Sequence, residues 1–183
     1  MRHTINQKTL EDLQQRLEKL ERNNTKDQLT MVIMSNNLDR CLAALIIATG
    51  AAAMGTTVVM FFTFWGVTLL RDKNKNKKNK SFLAKIFAFM LPNGANKLKL
   101  SQMDFFGIGR KMIHYLMRKK NVAQLEELLD LAKDVDIKFL ICEMSMDLMD
   151  FSIEEMISYP NLGIAGVATF LEESSRSRTT LFI

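Results

Sequence analysis

Cysteine is scarce: Cys41 and Cys142 are the only two in 183 residues. That excludes a disulfide framework and any CxxC zinc pattern. His3 and His114 are the only histidines, at no ligand spacing to each other or to a cysteine, so no metal is expected. Neither G-x-G-x-x-G nor a P-loop is present, so no cofactor is expected. The start, MRHTINQKTLEDLQQRLEKLE, lacks the apolar h-region of a secretory signal. A reducing cytoplasm is therefore the expected location, where cysteine chemistry is catalytic or redox-sensing. No internal repeat is found.

Charge is missing altogether from residues 41–70, CLAALIIATGAAAMGTTVVMFFTFWGVTLL, which lie between Arg40 and Arg71. A run of that length can cross a bilayer as one helix. Its interior argues against that. Up to Met54 it is rich in the helix formers Ala and Leu. After Gly55 come Thr56, Thr57, Val58, Val59, Met60, Phe61 and Phe62, β-branched or aromatic for the most part, as strands prefer. A glycine at such a switch belongs at a helix C-terminus. The reading is an all-round apolar helix, a turn, then a strand buried on both faces.

What is present is an ordinary globular composition, 48% hydrophobic and 25% charged, enough for one domain with a short extension. Much of the net charge of +5 gathers in one run, RDKNKNKKNK, from Arg71. Such a run is a solvated loop or a contact for anionic groups, including peripheral membrane contact. It has no interleaved aromatics, so no nucleic-acid partner is expected.

In chain order, residues 8–22 form a polar helix with Leu10, Leu13, Leu17 and Leu20 as a narrow seam. That seam docks on its own domain or pairs with another subunit. Residues 29–34 (LTMVIM) read as a buried strand, and Ser35, Asn36 and Asn37 as turn and cap residues before the uncharged helix. Strand, helix and the strand at 57–62 make a βαβ unit, which implies a parallel sheet. Residues about 72–121 are too long for an ordinary crossover and read as an insertion rich in Met and Phe. It holds a helix from 82 to Pro92 and another near 108–120. Regular patterning then resumes: helix 122–134, strand 135–142, a loop over CEMSMDLMD, a short helix 151–158, a strand or turn at 163–166, helix 167–175 and a last strand 180–183. The fold class is thus α/β: a parallel open sheet flanked by helices, with an N-terminal helical extension. The division expected is 1–26 for the extension and 27–183 for the α/β domain.

Cys142 is the main candidate for chemistry. It ends a parallel strand, and in open α/β sheets ligands bind outside the carboxyl ends of the strands. Free cysteine also packs as an ordinary buried side chain, and Glu143 and Asp147 beside it do not favour a thiolate. Backbone amides of residues 143–147 would have to do so. Cys41, in the first turn of its helix and also near the carboxyl edge of the sheet, reads as packing, with a spatial pair to Cys142 as the alternative. Ser35 and Ser145 have no histidine partner nearby in sequence.

Five segments in order, SNNLDRCLAALIIATGAAAMG, VVMFFTFWGVTLLR, KLKLSQMDFFGIGRKMI, ICEMSMDLMD and GVATFLEES, resemble the DsrE/DsrF/DsrH-like family of sulfur-relay proteins. The likeness spans about residues 28–183. It is to the branch with a long uncharged segment and a central insertion. It implies a parallel, flavodoxin-like α/β fold and a cysteine that carries sulfane sulfur as a persulfide. The cysteine of the family's C-x-M-S-M-D pattern matches Cys142. Ser35, Asn37, Ser145 and backbone amides at the strand ends would frame its pocket. Asn36 stands where relatives carry Gly, and no role passes to Cys41. The implied partners are sulfane-sulfur donor and acceptor proteins of a relay. The exposed Leu seam and insertion add a homo-oligomer. The alternative is a non-enzymatic, membrane-associated interaction module.

Overall fold

The computed structural model describes residues 12–16, 26–75, 91–92 and 94–183. The first strand, β1 (Lys26–Ile33), is buried from Gln28 onward. Helix α1 (Leu38–Ala53) follows, and β2 (Thr57–Phe62) after it. The uncharged stretch is thus divided where its residue chemistry changes. Gly55, at φ +87°, ends the helix. Its N–H donates to the Ala52 carbonyl (2.9 Å) and that of Thr56 to Ala51 (3.1 Å), a Schellman arrangement that satisfies the last helical carbonyls. Among the described residues no helix is long and apolar enough to cross a membrane.

A 3-10 segment (Phe64–Leu70) leaves β2. Helices α2 (Ile108–Lys119) and α3 (Leu125–Asp134), strand β3 (Lys138–Cys142), helix α4 (Glu143–Met149), strand β4 (Leu162–Ala165), helix α5 (Val167–Arg176) and strand β5 (Ser177–Phe182) complete the chain. The five strands form one parallel sheet in the order β4-β3-β2-β1-β5.

Alternation along the strands builds two unequal layers. Met31, Ile33, Met60, Phe62, Phe139 and Ile141 join Leu38, Cys41, Leu45 and Ala48 of α1 and Leu125, Leu128, Leu129 and Ala132 of α3 in the main core. The opposite face holds a small cluster, Val59, Phe61, Leu140, Cys142 and Ala165, with Phe170 of α5 packed on it. Helix α5 itself has no buried residue. It is held by Phe170 stacked on Phe61 (5.2 Å) and by Glu173, which receives Lys138 Nζ (2.7 Å) and Gln28 Nε2 (3.0 Å).

Three expectations need correction. Residues 143–149 are helical, not a loop: Cys142 occupies the N-cap position and Asp150, at φ +51°, ends the helix. Residues 151–158 form only a 3-10 turn (Ile153–Glu155), because their backbone is engaged elsewhere. Ile157 N–H donates to Leu70 (2.8 Å) and Asp72 N–H to Glu155 (2.8 Å), which holds this segment extended along the chain leaving the 3-10 segment. The third helix starts at Leu125 rather than 122, since the Gln124 N–H is taken by the Glu127 carboxylate (2.8 Å). The expected helix from 82, most of the Lys/Asn run and most of the Leu seam lie outside the described residues. Residues 12–16 are helical, with Leu13 exposed.

Candidate functional site

Because the sheet is parallel, Ile33, Phe62, Cys142 and Ala165 bring four strand ends to one edge, with Phe62 in register with Ile33 and Ile141, and Cys142 with Ala165. Cys142 is the last residue of β3 and the N-cap of α4, with no side chain capping that helix. The first-turn amides of a helix have no intrahelical partner, and those of α4 follow directly on this residue. The thiol points to the α5 face. There it lines an apolar cleft of about 320 Å³ with Val32, Phe61, Phe64, Met144, Val167 and Phe170. Cys142 is only 1% exposed and forms the floor, whereas Met144 and Val167 at the rim are about half exposed.

Ser145 is fully buried one turn into α4. Its Oγ accepts the Phe64 N–H (2.9 Å) and pairs with Thr63 Oγ1 (3.0 Å), so it fastens α4 to the chain leaving β2. That corner is strained and tightly packed. Phe64 adopts φ +45°, uncommon for a bulky residue. The Thr63 N–H donates to the Ile33 carbonyl (3.0 Å) and the Gly66 N–H to that of Met34 (2.9 Å). A Cβ at position 66 would stand 2.1 Å from the Ile33 carbonyl oxygen, so only glycine fits. Thr63, Phe64 and Gly66 were not singled out from sequence. Their one signal is the TFWG break inside the uncharged run.

Ser35 and Asn37 meet each other instead of Cys142. Ser35 Oγ donates to Asn37 Oδ1 (2.8 Å) and accepts the Asn37 N–H (3.1 Å), forming the corner between β1 and α1. Neither is among the residues lining the cleft. Cys41 packs in the main core, on the sheet face opposite Cys142, with its thiol donating to the Ser35 carbonyl (3.5 Å). Burial above all, then the Asp39 carboxylate, pushes that thiol up to about 12. It stays protonated near neutral pH, and the thiol form is not a nucleophile.

A model of the DsrE/DsrF/DrsH-like family matches residues 25–182. The chain belongs to the DsrE/DsrF/DrsH-like family. Uncharacterized protein YrkE of Bacillus subtilis (strain 168) is 40% identical over 154 residues, covering 84% of this chain and 95% of that protein. Sulfur carrier protein DsrE2 of Allochromatium vinosum is 32% identical over 160 residues, covering 85% of this chain and 98% of that protein. Among solved structures, the crystal structure of the ychN protein from E. coli superposes with a TM-score of 0.51 at 8% identity, over 87% of this chain and 99% of that one. That likeness is one of fold. The DsrE/DsrF/DrsH-like match takes in all five strands and the whole cleft around Cys142.

Proposed function

We propose that this chain is a cytoplasmic sulfur carrier that holds sulfane sulfur as a persulfide on Cys142 and passes it to an acceptor thiol. The observation that carries the reading is the position of Cys142, at a strand's carboxyl end and on the floor of a cleft. Membership of the family and the 32% identity to a protein named as a sulfur carrier support it. The thiolate attacks a sulfane sulfur and expels the donor's leaving group. The acceptor thiolate then takes the outer sulfur, by the exchange chemistry of disulfides. The first-turn amides of α4 receive the negative charge on the thiolate and on the persulfide. Ser145 keeps Thr63 and Phe64 in the wall of the cleft. Ser35 and Asn37 frame the neighbouring strand end. Exposed Met144 and Phe182 shift aside to admit donor and acceptor proteins of a relay.

The test is the mass of the protein after exposure to polysulfide. Cys142 gains about 32 Da per sulfur atom, a sulfane sulfur being added to a thiolate. Cys142→Ser abolishes the gain, and Cys41→Ser keeps most of it. Loss of labelling in Cys41→Ser alone would overturn the assignment.

A second reading, a non-enzymatic membrane-associated module, is favoured by one feature. Met103, Phe105, Phe106 and Ile108 are all more than 60% exposed, and the first three stand at positive φ. They run into α2, which carries Arg110, Lys111, Arg118 and Lys119 and no acidic residue. Apolar side chains among cations suit an anionic interface. This reading takes over if neither cysteine accepts sulfur from any donor.

A further inference from the structure

The cleft over Cys142 is unusual for a site expected to handle sulfur anions. Its walls are Val32, Phe61, Phe64, Met144, Val167 and Phe182. Two hydroxyls reach it, and both are engaged: Thr63 with Ser145 (3.0 Å) and Thr180 with Ser174 (3.0 Å). Among the described residues no charged side chain lines it. An anion entering such a cleft loses its hydration, finds no cationic side chain among the described residues, and competes with the thiolate for the amides of α4. The nucleophile is itself a thiolate, so an anionic donor also sets two like charges in one apolar space. An uncharged sulfur chain or ring meets neither penalty and gains from contact with the apolar walls.

Resting on the sulfur-carrier reading above, we propose that this cleft selects uncharged sulfane sulfur, as in an elemental sulfur ring, over anionic donors such as thiosulfate. In the step with the ring, the Cys142 sulfur forms one S–S bond as one ring S–S bond opens. The electron pair of the broken bond goes to the new terminal sulfur, which takes the proton the thiol gave up. Every atom of the ring stays on the chain, and no outside oxidant or reductant is needed. Acceptor thiolates then shorten the chain by the same exchange.

The experiment measures initial loading of Cys142 in the full chain by intact mass, with dispersed elemental sulfur and with thiosulfate at equal sulfane sulfur. Cys142→Ser gives the background, and each rate is divided by that of free cysteine with the same donor to remove intrinsic reactivity. The expected result is a normalised preference for elemental sulfur of about tenfold or more, the size of a modest discrimination by a pocket. Val167→Lys and Thr180→Lys each place a cation at the exposed rim. Each is expected to shift the ratio toward thiosulfate by about tenfold, one opposite charge offsetting the donor's. Equal normalised rates in the unmodified chain, or a ratio that neither lysine moves, overturn the selection and leave the carrier reading standing. No loading of Cys142 by these two donors or by polysulfide overturns both.

Discussion

At the scale of single residues, the two cysteines differ because of the faces they occupy. Cys41 is sealed in the main core with its thiol raised to about 12, and Cys142 looks into a cleft. The raised value has a consequence for stability. The folded state holds the Cys41 proton more tightly than the unfolded chain, whose thiol titrates at an ordinary 9.0. Its contribution is complete below pH 9.0 and is lost as pH rises towards about 12. Denaturant titrations between pH 8 and pH 11 should show stability falling by on the order of a few kcal/mol. Cys41→Ala should start less stable and show a shallower fall. An unchanged slope would mean that Cys41 is not sealed. Which sheet face each cysteine takes was not legible in the sequence, since it depends on the parity of three paired strands. The candidacy of Cys142 was legible, because CEMSMD directly follows an apolar strand pattern.

At the scale of elements, the β1–α1–β2 unit could be read directly, since helix formers give way to β-branched and aromatic residues at Gly55. Helix α4 could not: CEMSMDLMD mixes acidic residues with Met and has no apolar period, and it starts where a strand ends. The short helix expected over 151–158 failed because long-range backbone bonds to Leu70 and Asp72 outweigh local preference. The corner holding the cleft wall depends on Gly66. Gly66→Ala drives a methyl into the Ile33 backbone and should cost about 2 kcal/mol or more, as overpacking does when backbone must move. Thermal unfolding checks the stability, and slower sulfur loading should accompany the loss because Phe64 shifts with the corner. A Gly66→Ala protein of unchanged stability would show that the close approach is not maintained.

At the scale of the whole molecule, a five-stranded sheet carries one face in a large core and the other, among the described residues, under one ten-residue helix with no buried residue. Val167, Leu171 and Phe182 are all more than half exposed on that thinner side. Met103, Phe105 and Phe106 add a second exposed apolar group. Monomers seldom leave so much apolar surface in patches, so light scattering at micromolar concentration should give the mass of a homo-oligomer. A monomer mass would contradict that. The central claim is that Cys142 holds sulfur in order to pass it on, and one measurement tests it directly. Protein loaded with a single sulfur and freed of donor is mixed with an acceptor thiol, and both masses are followed. The account predicts that the about 32 Da lost from Cys142 appears on the acceptor in equal amount, as persulfide exchange requires. Sulfur that stays on Cys142, or that leaves as free sulfide while the acceptor gains nothing, would contradict it.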